Sequence, residues 1–242
     1  MSIRNSLLRT YFARRMKAID RFRRHPDQVQ AEMFRQLIAR GADTEFGRRH
    51  GVAKHLTPEA FAARVGVQDY ESFKPYIERM LAGEKNVAAP GRVTLFARSS
   101  GTTSDRSKFI PVTRESVWWN HTLGMRDVAA VYASAKPQTK IFDGKTLTLG
   151  GSYVRENGAL IGDLSAVLIS QTPFWSGWFR APKMETALIP DFDRKIEGIC
   201  RECTREKITA FAGVPSWNLV LMRRVLEYCL LYTSDAADEL DG

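Results

Sequence analysis

Between Ser99 and Lys108 the chain reads SSGTTSDRSK, which holds six hydroxyl side chains, one glycine and a lysine. Apolar runs flank it, RVTLFA before and KFIPV after. The hydroxyls of Ser99, Ser100, Thr102 and Thr103 are hydrogen-bond donors suited to phosphate oxygens. A turn at Gly101 lets backbone amides converge on one concavity, which attracts anions. Lys108 adds the point charge that phosphate sites use. These residue types at this spacing describe a grip for a polyphosphate. On the residues alone, the alternative is a surface loop rich in Ser and Thr. The segment is not the G-x-x-x-x-G-K-[ST] loop, because it has one glycine and Lys108 is followed by Phe109. That argues against a P-loop kinase or GTPase.

The elements that must position this segment change character along the chain. The first 90 residues read as mostly helical. Leu8, Phe12, Met16, Ile19 and Phe22 recur at helical spacing and predict one amphipathic N-terminal helix. Seven arginines and one lysine lie before His25 and are expected on its solvated face. Pro26 and Asp27 open a second helix, with Val29, Met33, Phe34, Leu37 and Ile38 on one face and Gly41 closing it. DTEFGRRHGV reads as a polar loop. Thr57 and Pro58 start a short helix that runs through Val65. YESFKPYIERMLAGE gives another, interrupted by Pro75.

From Arg92 the period shifts. RVTLFA and KFIPV read as strands, and Thr113 caps a long helix from Arg114. KTLTLGGSYV and ALIGDLSAVLIS are strand-like and separated by RENG. DFDRKIEGICRECTREK is a helix, ITAFAG a buried strand, and VPSWNLVLMRRVLEY the start of a further helix. Helices first, then strands alternating with helices, predict an α/β fold. Residues 1–90 form its helical N-terminal cap, and residues 91–228 form part of a sheet-and-helix core.

Composition narrows the classes. The chain has 242 residues, 44% of them apolar, which is enough for a sizeable core. No apolar run is long enough to cross a bilayer. The N-terminus lacks the apolar core and cleavage site of a secretory signal. Its arginines also suit a transit peptide, but the apolar spacing favours an ordinary amphipathic helix. Three cysteines make no disulfide framework, so a reducing cytoplasm is the default expectation. Cys200 and Cys203 form a lone C-x-x-C; zinc needs two more ligands at matching spacing, and no metal site is assigned. The four histidines are scattered. The net charge of +9 is spread along helices rather than interleaved with aromatics in one stripe. That favours a solvated face, or steering of anionic substrates, over nucleic-acid binding.

After Tyr228 the composition changes. CLLYTSDAADELDG has four acids and no base. Cys229 to Glu239 resembles the translation of a transposase sequencing adapter, so residues 229–242 are expected to be a non-native tail on a truncated chain. The alternative is a natural acidic tail.

SSGTTSDRSK resembles the phosphate-binding loop of the adenylate-forming superfamily, in the variant of the Gretchen-Hagen-three family. These are the auxin-responsive acyl-acid amido synthetases of plants and their bacterial relatives. TEFGRRHGV, YESFKPYIERMLAGEKNV, FARSSGTTSDRSKFIPVT, GDLSAV and FAGVPSWNLVL resemble the bacterial branch in order, from about Arg4 to Tyr228. Asp105 stands where a glycine is common, in a tolerant position.

The resemblance implies a ligase. A carboxylate attacks the α-phosphate of ATP, giving an acyl-adenylate and pyrophosphate, and an amine or amino acid then displaces AMP. Ser99, Ser100, Gly101, Thr102, Thr103 and Lys108 would hold the β- and γ-phosphates, with magnesium (Mg2+) sharing their charge. Arg126 lies near the place where plant members contact the acyl carboxylate; on the residues alone it also fits a solvated helix face. Trp118, Trp119, Phe174, Trp175 and Trp178 suit either an acyl pocket or, for most of them, core packing. The partners implied are small molecules, without a membrane. No catalytic acid or base is assigned. The family's other nucleotide motifs and its mobile C-terminal domain fall beyond Ser216, so this chain alone is expected to be inactive. The remaining alternatives are a non-catalytic phosphate-binding module and a basic nucleic-acid-binding protein.

Overall fold

The computed structural model describes residues 2–99 and 107–238, with side chains described up to residue 230. The chain opens with α1 (Ile3–Ala13), α2 (Met16–Arg24), α3 (Pro26–Gly41), α4 (Glu45–Arg49), α5 (Pro58–Val65) and α6 (Tyr70–Leu81). Strands β1 (Leu95–Arg98) and β2 (Phe109–Val112) follow. Next come α7 (Arg114–Ser116), a π-helical segment (Val117–Thr122) and α8 (Leu123–Ala135). The second half holds β3 (Lys145–Thr148), β4 (Tyr153–Glu156), β5 (Ala159–Gly162), α9 (Leu164–Ser170), β6 (Arg180–Ala181), α10 (Met184–Ala187), α11 (Phe192–Cys203), β7 (Ile208–Ala212) and α12 (Pro215–Asp238). The fold is mixed α/β, as the order of the sequence patterns predicts.

Two compact units interleave along the chain. One comprises residues 12–132 and 154–162; the other comprises 1–11, 133–153 and 163–242. The first contains the sheet β2-β1-β5-β4, in which β1 runs antiparallel to β2 and parallel to β5. Its core joins Phe96, Ala159 and Ile161 of the sheet to Tyr76, Ile77 and Met80 of α6. Phe46 closes the edge, with its ring 5.4 Å from Phe73 and 5.3 Å from Tyr76. A smaller cluster packs Ile38 and Phe34 of α3 against Phe61 and Val65 of α5. The second unit holds the parallel sheet β6-β3-β7. Leu147, Leu149 and Ala181 pack there against Ile196, Ile199 and Cys200 of α11 and Leu221 of α12.

Side-chain caps fix many helix starts. The Thr57, Thr113, Asp69 and Asp191 oxygens accept from the amides of Ala60, Ser116, Ser72 and Arg194. Asn157 and Gly158, with φ of 49° and 76°, make the tight turn between β4 and β5 that RENG marks.

Several expectations are corrected. The N-terminal helix is two helices, broken at Arg14–Arg15. Its arginines are not all solvated: Arg15 grips Asp127 through two bonds, of 2.7 and 3.1 Å, with both side chains largely buried. Leu37 is exposed rather than sharing the buried face of α3, because Ile38 turns inward instead. DTEFGRRHGV is not all loop, since Thr44 caps α4. Pro75 does not interrupt α6. Pro75 and Glu71, four residues before it, are exposed residues, while buried Tyr76, Ile77 and Met80 anchor the helix. The second half of ALIGDLSAVLIS is α9, which begins after Asp163. ITAFAG is a strand but not a buried one, with Phe211 exposed. Trp118, Trp119, Phe174, Trp175 and Trp178 are all exposed, so core packing does not account for them.

Gly47 shows how tightly α4 is seated. A Cβ there would meet the Gly41 carbonyl oxygen at 2.1 Å, and the opposing atoms are backbone. At Gly41 itself a Cβ would meet nothing within 4 Å. Gly47→Ala is expected to destabilise by about 3 kcal/mol, at the upper end of overpacking costs. Gly41→Ala is expected to be neutral or to stabilise by up to about 1 kcal/mol. Urea unfolding midpoints of the two variants check the contrast.

Candidate functional site

The hydroxyl-rich segment connects β1 to β2, two antiparallel neighbours in register at Arg98↔Phe109. Ser99 and Lys108 form its neck. The Ser99 amide donates to the Lys108 carbonyl at 2.9 Å, and the Lys108 amide donates to the Ser99 hydroxyl oxygen at 3.0 Å. The pair is thus locked in both directions. Ser99 is placed by β1, whose Leu95, Phe96 and Ala97 are buried. Lys108 is placed by β2 and by α6, where its ammonium lies 5.0 Å from the centroid of the Tyr70 ring. Tyr70 also accepts a hydrogen bond from the Phe109 amide at 2.9 Å. Asp69 caps α6, and its carboxyl is held below the usual range by its bonds to Ser72, with the Lys108 charge as a lesser cause. Ser100, Gly101, Thr102 and Thr103 lie outside the described residues.

Arg126 sits on α8, its guanidinium 5.9 Å from the Trp118 ring. Trp118 and Trp119 belong to the π-helical segment just before α8. Such turns are frequent at functional sites. Arg126 is half-buried, so the fully solvated face is not its setting. Its neighbour Asp127 is occupied by Arg15. Phe174, Trp175 and Trp178 belong to the other compact unit, on a single 3-10 turn. Cys200 and Cys203 are buried on α11. Burial pushes both thiols up, Cys203 to about 12, which suits packing rather than nucleophilic chemistry.

One charged residue escaped the sequence reading. Lys195 on α11 is 3% exposed. Its ammonium donates to the carbonyls of Gly150 and Gly151, at 2.6 and 2.8 Å, just beyond the end of β3. Burial pushes its pKa down, and the Asp163 charge opposes that. The Gly151 and Ser152 amides donate to Ser165 and Asp163, at 3.0 and 3.2 Å. The glycine turn is therefore held on its carbonyl side by a lysine and on its amide side by α9. The available signal was register: Lys195 lies four residues before buried Ile199 and eight before Cys203. Lys195→Met should cost about 1–3 kcal/mol by leaving carbonyls without a donor, read as a lower urea midpoint.

The comparisons with known proteins match this architecture. A solved GH3.15 acyl acid amido synthetase superposes with a TM-score of 0.68 over 92% of this chain and 39% of that chain, at 16% identity. A second, described as AtGH3.15 acyl acid amido synthetase in complex with 2,4-DB, gives a TM-score of 0.64 over 83% of this chain and 36% of that one, at 19% identity. The fold is therefore that of part of an acyl acid amido synthetase. The model of the GH3 family N-terminal domain matches residues 15–230, and the chain belongs to that family. A probable indole-3-acetic acid-amido synthetase GH3.2 of Oryza sativa subsp. japonica is 34% identical over 106 residues, 43% of this chain and 17% of that protein. The indole-3-acetic acid-amido synthetase GH3.3 of Arabidopsis thaliana is 29% identical over 103 residues, 42% of this chain and 17% of that protein. The chain thus matches under one fifth of the length of these relatives.

Proposed function

We propose that this chain is the N-terminal part of an ATP-dependent acyl-acid amido synthetase of the bacterial branch, acting in the cytoplasm. The supporting observation is the hairpin neck. In a chain of the GH3 family, Ser99 and Lys108 are locked together where a segment of hydroxyl residues begins and ends. Ser99, Ser100, Gly101, Thr102, Thr103 and Lys108 bind the β- and γ-phosphates. A substrate carboxylate oxygen attacks the α-phosphorus, the bond to the bridging oxygen breaks, and pyrophosphate leaves. An amine nitrogen then attacks the acyl carbon, AMP departs, and the amine loses a proton. The work of this segment is electrostatic, since donors and an ammonium face charge that grows on the leaving pyrophosphate. Arg126, beside Trp118, is assigned here to the acyl carboxylate.

Among the described residues no group of three or more His, Cys, Asp or Glu side chains could hold a metal ion. We assign magnesium to the nucleotide's own phosphates, where it would share their charge. The names of the relatives point to acyl acids as substrates: indole-3-acetic acid in the plant proteins, and 2,4-DB in one solved complex. For this chain the acid stays at the level of that class. The family match runs to residue 230, two residues into the stretch read as a tail, and residues 231–242 lie outside it. Leu219, Leu226 and Leu230 of α12 are exposed, which suits a chain whose full-length form packs further structure there. No helix among the described residues is long and apolar enough to cross a membrane.

ATP–pyrophosphate exchange by the full-length gene product, across a panel of carboxylic acids, tests this function. Acid-dependent exchange is expected. ATP binding with no exchange for any acid would contradict it. The present chain is expected to show weak ATP binding and no exchange of its own.

A further inference from the structure

Tyr70 meets the Lys108–Phe109 segment at two points. Its hydroxyl oxygen accepts the amide proton of Phe109, the residue next along the backbone, at 2.9 Å. Its ring lies under the lysine's ammonium, 5.0 Å from the centroid. β2 is an edge strand, so an amide not spent on β1 would otherwise turn to water. The tyrosine takes that amide and in doing so fixes its own ring. The ring in turn is half-buried against the core cluster of β1, β5 and α6. A lysine stem is flexible and loses much rotamer freedom when its head is held in one place. A ring already locked to the neighbouring backbone limits the space the head explores before any ligand arrives.

The strength of the contact also suits this task. A cation–π contact at an exposed site corresponds to about a two- to fivefold preference. That is enough to bias the ammonium and too little to keep it from a polyanion. Asp69 is the nearby carboxylate, but it is engaged by the Ser72 amide and hydroxyl, at 2.8 and 2.5 Å. Among the described residues no carboxylate forms an ion pair with Lys108.

We propose that Tyr70 is a positioning residue that presets the Lys108 ammonium at the hairpin neck for a phosphate chain. This rests on Lys108 being a phosphate-gripping cation, as proposed above. Tyr70 itself need not touch the ligand.

The test is a double-mutant cycle on the present chain with inorganic tripolyphosphate as the probe, read by calorimetry or by 31P line broadening. Tyr70→Phe removes the amide acceptor and keeps the ring; Tyr70→Ala removes both. The expected loss of affinity is about twofold for the first and about three- to tenfold for the second. In a Lys108→Ala background neither substitution should change the residual binding further. Thermal melts establish that each variant is folded, and if Tyr70→Ala is not, the Phe cycle carries the test. Equal losses in both backgrounds, or no loss in either, overturn the positioning role and leave the phosphate site standing. No effect of Lys108→Ala, or no binding by the unaltered chain at millimolar probe, overturns the phosphate site and this role with it.

Discussion

Two opposed hydrogen bonds between Ser99 and Lys108 hold the candidate site together. An antiparallel pair sets residues directly opposite one another across each rung. Here the last rung is extended by one more step, in which a serine hydroxyl stands in for a backbone carbonyl. The consequence is that a cation and a hydroxyl residue arrive at the same place from two different strands. Each strand is anchored separately: β1 by its buried Leu95, Phe96 and Ala97, and β2 by Val112 and by Tyr70 of α6. Charge placed on such a frame needs little reorganisation when an anion arrives, which is how preorganised electrostatic sites gain their effect.

Much of this frame was legible in the sequence, and the reasons differ by element. Caps were readable because Thr57 and Thr113 act on amides three residues away, so local order determines them. The hairpin between β4 and β5 was readable because Asn-Gly is the pair that best tolerates positive φ in succession. The elements that were missed are those decided at long range. α4 forms because Thr44 is buried and Gly47 can approach the carbonyl of Gly41. Pro75 is tolerated because three core residues outweigh one lost bond. The break after Ala13 falls where Arg15 turns to Asp127, more than a hundred residues away, and no local pattern announces it.

The site divides along the same line. Residue type and spacing singled out Ser99 and Lys108 as candidates, and the structure hydrogen-bonds them to each other. Tyr70 lies 38 residues upstream of Lys108 and belongs to a helix whose apolar spacing explains it as core. Nothing in the linear pattern ties it to the hydroxyl segment. Lys195 was hidden differently, as a charged residue on an apolar stripe that reads as solvent-facing until two carbonyls are found at its tip. Both groups are found by asking which backbone atoms they satisfy.

Amide chemical shifts during a titration of this chain with magnesium-ATP, recorded by two-dimensional NMR, test the central claim most directly. The account predicts that the largest perturbations centre on Ser99, Lys108, Phe109 and the Tyr70 turn, and that they persist with tripolyphosphate in place of the nucleotide. Perturbations centred on another surface, with the neck amides unmoved, would contradict it.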